Sequence, residues 1–224
     1  GLGMGAAALV EAVRRRDVRR GNRFLVAVVV LVAANLPSLW VAHLVDPAIS
    51  RQQDVPRAWT DAATALQDSD PFARVLQLPG AEFGSFRWGH TVDPPLPGIT
   101  DKPVLTRDLL PLGSASMMDL LYALDDRIQS GQFEPSSLAP IARLLTADRI
   151  WVVGDQAYDR FRTLPPEVFA ALLAQLPAGL SGRADYGAPF VNEPSDQFVD
   201  EQRLADPLIS TTVAPVELLT VDDA

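Results

Sequence analysis

"VRRRDVRRGNRFLVAVVVLVAANLPSLWVAHLVD", residues 13–46, decides how everything after it is read. Six arginines (Arg14, Arg15, Arg16, Arg19, Arg20 and Arg23) crowd its first part, and no Lys, Arg, Asp or Glu follows until Asp46. Between them, residues 24–45 include 13 Phe, Leu or Val. As one helix this run would extend about 33 Å at ~1.5 Å per residue, close to the roughly 30 Å of a bilayer core. A buried helix of a large globular domain would account for the apolar run but not for the arginine block at one flank. The run therefore predicts a transmembrane helix over 24–46, although Asn35, Pro37 and His43 each cost it something. Positive charge is retained on the cytoplasmic side. The six arginines then set the topology, with residues 1–23 inside and everything after about residue 46 outside. "GLGMGAAALVEAV", residues 1–13, reads as the end of a preceding membrane helix that enters a basic cytoplasmic loop. The opening glycine and the lack of a charged region before the apolar run make the chain read as an excerpt of something longer.

Bulk composition supports a division at this point. The 224 residues carry a formal charge of -9, no cysteine and 19 prolines. After residue 23 there are 13 basic side chains against 26 acidic ones. An acidic body excludes nucleic acid as the main partner, because phosphate binding needs a positive surface. Without cysteine there is neither a disulfide nor a thiolate metal site.

Residues 47–177 have the composition of a small α/β domain. "VPRAWTDAATALQ" (55–67) has Ala58, Ala62 and Leu66 at helical spacing. "ARVLQLPG" (73–80) is a strand stopped by Pro-Gly. Residues 81–113 are rich in Gly and Pro and read as one long loop, a kind of segment that usually carries function. Ser114 or Ser116 then caps a helix, and Met117, Leu121, Leu124 and Ile128 form its apolar stripe as far as Gly131. A helix over 135–147, a buried strand over 148–155 and a helix over 165–176 complete the alternation. Such an order predicts parallel strands joined by a crossover. Residues 178–224 read as loop and as the start of a further, β-rich module.

No phosphate-binding loop, dinucleotide fingerprint, zinc spacing or nucleophile elbow is present. His43 reads as an interfacial polar residue and His90 as a structural one. Glu82, Asp93, Asp101 and Asp108 punctuate the long loop and could do acid–base work, or simply cap its turns. Trp88 offers a flat face that stacks on a sugar ring, with Arg87, Asp93 and Arg107 beside it in sequence to bond hydroxyls or a phosphate. The competing reading of Trp88 is packing of the loop onto the core. Arg87, Trp88, Asp93 and Arg107 are the candidate glycan contacts.

The motifs "FRWG" (86–89), "DPPLPGITDKP" (93–103), "RDLLPLGS" (107–114), "LAPIARLL" (138–145) and "DQAYDRFRT" (155–163) resemble the large D-type α-(1→3)-arabinofuranosyltransferases of mycobacteria and their relatives. The likeness covers residues 72–163. "SMMD" (116–119) departs slightly from the family pattern and leaves Met117 and Met118 a packing role. The resemblance implies a multi-span GT-C glycosyltransferase of the plasma membrane. It implies a polyprenyl-phosphate arabinofuranose donor and an arabinan acceptor in arabinogalactan or lipoarabinomannan. The fold class implied is the end of a GT-C membrane core, one transmembrane helix, followed by a small extracytoplasmic α/β domain. An acidic residue in an early external loop would activate the acceptor hydroxyl, with a divalent cation assisting there. No position of this chain matches that loop, so no catalytic residue, metal ligand or cofactor is assigned to it, and the lipid bilayer is its remaining partner. Two other classes compete: a non-catalytic, membrane-anchored scaffold or binding protein, and a glycosidase that uses the loop carboxylates.

Overall fold

A strand that is buried along most of its length is covered on both faces. Two strands here meet that condition: β1, Arg74–Leu78, and β5, Ala147–Val153. They lie side by side and parallel at the centre of a five-stranded sheet. The computed structural model describes residues 18–36, 54–108, 113–194 and 211–222. Two compact units are distinguished, Gly1–Ser50 and Arg51–Ala224.

In the first unit the described helix is α1, Val18–Ala34, 17 residues long. It is about 26 Å long at ~1.5 Å per residue. Arg19, Arg20 and Arg23 occupy its first two turns instead of preceding it. The apolar part, residues 24–34, spans only about 17 Å, roughly half of a bilayer core. The helix ends where the Asn35 side-chain amide donates to the Leu31 carbonyl at 2.9 Å, two residues before Pro37. Among the described residues no helix is long and apolar enough to cross a membrane. The transmembrane helix expected over 24–46 is thereby corrected: Arg19, Arg20 and Arg23 are part of the described helix, and its apolar length is too short. Arg14, Arg15, Arg16 and residues 37–53 lie outside the described residues.

The second unit begins with α2, Arg57–Ala65, followed by a 3-10 turn at Leu66–Asp68. The predicted long loop is not a loop throughout. It folds into the antiparallel hairpin β2 (Gly84–Phe86) and β3 (Gly89–Val92), then a 3-10 turn, then the short strand β4, Val104–Leu105, parallel to β1. Strands of two to four residues amid prolines have no measurable period, so hydropathy alone did not show them. Helices α3 (Ala115–Gln129) and α4 (Leu138–Leu144) make the crossover that a parallel β1–β5 pair requires. Ser114 is the N-cap of α3, accepting from the Met117 amide, and Gly131 follows the helix with φ of +68°. The short helix α5 (Tyr158–Phe161) and α6 (Pro166–Leu172) lead to β6, Leu180–Tyr186. Two short strands, β7 (Phe190–Val191) and β8 (Thr212–Val213), pair with each other. The last strand is β9, Val216–Val221.

The main sheet runs β4-β1-β5-β9-β6, with β9 antiparallel to both neighbours. The segment 178–224 therefore does not start a separate module. Two of its strands complete the same sheet, because β9 inserts between β5 and β6. Alternation along the central strands divides the core in two. Leu76, Leu78, Ile150, Val152 and Leu219 face α3, α4 and α6, where Leu121, Leu124, Ile128, Leu138 and Phe169 meet them. Val75, Trp151, Val153, Val216 and Leu218 face the other way, onto Trp59, Ala62 and Leu66 of the α2 segment and Phe86 of the hairpin.

Gly154, at the end of β5, donates its amide to the Pro215 carbonyl at 3.0 Å. A Cβ there would sit 1.9 Å from the Ala214 carbonyl oxygen. Both groups are backbone, so neither can rotate aside. Gly154→Ala should lower the unfolding free energy by about 1–3 kcal/mol, read as an earlier urea midpoint. An unchanged midpoint would contradict the close approach of Gly154 to the segment before β9.

Candidate functional site

Because β4, β1 and β5 are parallel neighbours, their carboxyl ends share one edge of the sheet. In open α/β sheets, ligands collect in the crevice outside these ends. Here β1 runs out into Pro79 and Gly80, β4 into Arg107, and β5 through Gly154 to the α5 segment. A cleft of about 300 Å³ opens between them, lined by Glu82, Phe83, Arg107, Asp125, Phe161 and Thr163 among others. That volume lies at the small end of the range for small-molecule sites.

Arg107 is its central cation. Its guanidinium bonds Asp125 at 2.6 Å and Glu82 at 2.7 Å, and stands 5.1 Å over the Tyr122 ring. Burial lowers its pKa, but the hydrogen bonds and charges of Asp125 and Glu82 outweigh this and hold it above the ordinary arginine value. Asp125 is 2% exposed, on the buried face of α3. It accepts from the Gly80 amide at 3.1 Å and from the Gln129 side chain at 3.3 Å. Burial pushes its carboxyl up, against the pull of those donors. Gln129 in turn accepts from the Leu164 amide at 2.6 Å. One acidic residue on a core-facing stripe thus ties β1, β4, α3 and the α5–α6 link together around the cleft.

Phe83 and Phe161 stack at 5.2 Å with 26° between their planes, on the opposite wall. Arg162 follows in the left-handed region, φ 56° and ψ 41°, a conformation uncommon for a residue with a side chain. The turn brings the Thr163 amide back onto the Tyr158 carbonyl at 3.0 Å. Two polar atoms of cleft-lining side chains, Arg107 Nε and Thr163 Oγ1, are buried without a hydrogen-bond partner.

Of the four predicted contacts, Arg107 alone lines the cleft. Arg87 is held in a second polar cluster: it pairs with Asp159 at 2.7 Å, donates to the Asn192 side chain and lies 5.2 Å from the Tyr158 ring centre. Its amide donates to the Asp155 carbonyl at 2.8 Å. Trp88 stacks on Phe86 at 5.1 Å with only 7° between the rings and meets Trp59 edge-on at 6.0 Å. Asp93 is exposed just after β3, where its carbonyl accepts from Thr91 at 2.7 Å.

Sequence reading missed Asp125, Asp155, Phe161 and Asn192. An aspartate inside the stripe Leu121, Leu124, Ile128 was a signal for the first. Asn192 offered none. It is 1% exposed, and its side-chain amide donates to the Gly154 and Gln156 carbonyls at 2.8 and 3.0 Å. Among the described residues, no group of three or more His, Cys, Asp or Glu could hold a metal ion.

These elements define a small α/β domain with a crevice at the carboxyl edge of its parallel strands. The profile described as "Alpha-(1->3)-arabinofuranosyltransferase, N-terminal GT-C domain" matches residues 2–223. The chain belongs to that family. It is 30% identical over 208 residues to the alpha-(1->3)-arabinofuranosyltransferase of Mycolicibacterium smegmatis, a match covering 92% of this chain and 14% of that protein. To its namesake in Mycobacterium tuberculosis it is 29% identical, over 83% of this chain and 13% of the relative. The cryo-EM structure of arabinofuranosyltransferase AftD from mycobacteria superposes with a TM-score of 0.69 at 25% identity, over 93% of this chain and 15% of that one. The chain thus spans about one seventh of the length of these relatives.

Proposed function

We propose that the full-length protein transfers arabinofuranose from a polyprenyl-phosphate donor to cell-wall arabinan, forming α-1,3 branches of arabinogalactan or lipoarabinomannan. The observation that carries this reading is family membership across residues 2–223, together with relatives named as arabinofuranosyltransferases. The full-length protein works at the plasma membrane, where its lipid donor resides, with the unit Arg51–Ala224 on the extracytoplasmic side. The bilayer, the lipid-linked donor and the glycan acceptor are its partners. The catalytic base, and any divalent cation beside it, belong to parts of the relatives this chain does not cover. Residues 54–222 contribute contacts to glycan, with Arg107 the sequence-predicted residue placed in a cleft. No observation favours the scaffold or glycosidase alternatives.

The test is transfer of radiolabelled arabinose from a synthetic polyprenyl-phosphate donor to an oligoarabinofuranoside. Membranes carrying the full-length open reading frame should give product. Membranes carrying only the 224-residue chain should give none. Transfer by the short chain alone would refute the placement of the base elsewhere; no transfer by the full-length protein would refute the activity.

A further inference from the structure

We infer that the cleft at the carboxyl edge of β4, β1 and β5 is a subsite for a neutral, hydroxyl-rich ligand, a short furanoside segment of the acceptor glycan, held by Glu82, Phe161, Arg107 and Thr163. The sugar's identity rests on the proposed transferase reading; the neutral, hydroxyl-rich character of the ligand rests on the cleft itself.

Charge decides the ligand's class. Arg107 is already clamped by the carboxylates of Asp125 and Glu82 at 2.6 and 2.7 Å. A phosphate would have to compete with both for one guanidinium while approaching two negative groups. Arg107 and Arg162 balance Glu82 and Asp125 in number, so the lining carries no net charge to attract an ion. A hydroxyl can use the same groups without displacing them. It can accept from Arg107 and donate to Glu82, whose side chain is 54% exposed.

Unmet hydrogen bonding points the same way. Arg107 Nε and Thr163 Oγ1 are buried and lack partners, and a buried polar group left unpaired costs about 1–3 kcal/mol. Both side chains line the cleft. Neither atom is exposed to solvent, so a ligand hydroxyl reaches either one only after its side chain turns toward the cleft. The aromatic wall supplies the remaining ingredient. Phe161 stacks on Phe83 yet stays 42% exposed, so it offers apolar surface to the C–H groups of a sugar ring. The left-handed Arg162 that follows it places strained backbone at the rim, where such strain accompanies ligand sites.

The test uses the full-length protein and two variants, Phe161→Ala and Glu82→Gln. Each should raise the KM for an oligoarabinofuranoside acceptor about three- to tenfold, the equivalent of one lost hydrogen bond or stacking contact, with kcat unchanged. Direct binding of the same oligosaccharide to the protein, read by saturation-transfer NMR, should weaken in parallel, and inorganic phosphate should not displace it. Glu82→Gln keeps shape and exposure, so it carries the test even where Phe161→Ala perturbs folding. Unchanged KM and unchanged binding in both variants would overturn the subsite while leaving the transferase activity standing. Displacement by phosphate would overturn the neutral class. Should the full-length protein transfer nothing yet bind the oligosaccharide through these residues, the subsite stands and the activity falls.

Discussion

Trp59→Ala is expected to cost about 3–5 kcal/mol, the range for deleting a buried aromatic ring. Trp59 is fully buried on the face of the sheet covered by α2. Its ring meets Phe86 at 5.0 Å, Trp88 at 6.0 Å and Trp151 at 5.2 Å, so it joins α2, the β2–β3 hairpin and β5 at one point. Its indole N–H also donates to Asp155 at 2.8 Å. The other oxygen of that carboxyl is buried without a partner. The substitution thus opens a cavity and takes away the one full hydrogen bond this carboxyl receives from a neighbouring side chain. Urea denaturation of the chain, followed by circular dichroism, reads the effect. Trp59→Phe should lose less, because it keeps much of the ring. A cost below about 1 kcal/mol for Trp59→Ala would mean that the aromatic cluster does not anchor the hairpin, since even modest core truncations exceed that.

The second large effect is a dependence of stability on pH centred on Asp155. Burial pushes this carboxyl from 3.8 up to about 7, opposed by the Trp59 and Trp88 indoles and by the charge of Arg87. Of the two indoles, Trp59 makes the full hydrogen bond; the Trp88 N–H faces no acceptor at bonding geometry. A group whose folded pKa lies above its unfolded value binds protons more readily when folded. Its contribution is complete below the unfolded pKa and is lost as pH rises through the folded one. Stability should therefore fall between about pH 4 and pH 7, by up to about 4 kcal/mol at ~1.4 kcal/mol per unit. Asp125, Glu167 and Glu217 are raised in the same direction, each chiefly by burial, and steepen the profile. Asp155→Asn keeps an oxygen for Trp59 and removes the ionisation, so it should flatten the profile. A wild-type stability that rises from pH 4 to 7, or a profile that Asp155→Asn leaves unaltered, would contradict this.

The two effects share a location that bears on the cleft. Arg87, Trp88 and Asp155 fix the hairpin against the end of β5. The cleft is built from the residues on either side of them: Phe83 just before β2 and Phe161 at the end of α5. Two residues expected to touch glycan thus help to position the hairpin beside the cleft wall, and their neighbours in sequence line it.

Legibility of the sequence varied with element length. The strands at 73–80 and 148–155 were readable as apolar runs closed by turn residues, and the helix after Ser114 by its apolar stripe. Ser114 against Ser116 as the cap was not decidable, since both precede a plausible first turn; the hydrogen bond from the Met117 amide selects Ser114. The hairpin and β4 were hidden because their strands have only two to four residues each, and β4 is held by pairing with β1, far back in the chain. The apolar run after Arg23 misled for the opposite reason. Hydropathy measures composition along the chain, whereas spanning requires continuous uncharged helix length, and the described helix continues past Arg23 only as far as Ala34.

By itself the sequence determined the α/β alternation, the acidic body and the family, because these reside in local periodicity, charge count and contiguous motifs. Tertiary structure alone decided that β9 enters between β5 and β6, that Arg107 meets Asp125 and Glu82, and that Phe83 stacks on Phe161. Such contacts join residues far apart in the chain, and only burial of both faces of the central strands, which forces the later segments to close the sheet, brings them together.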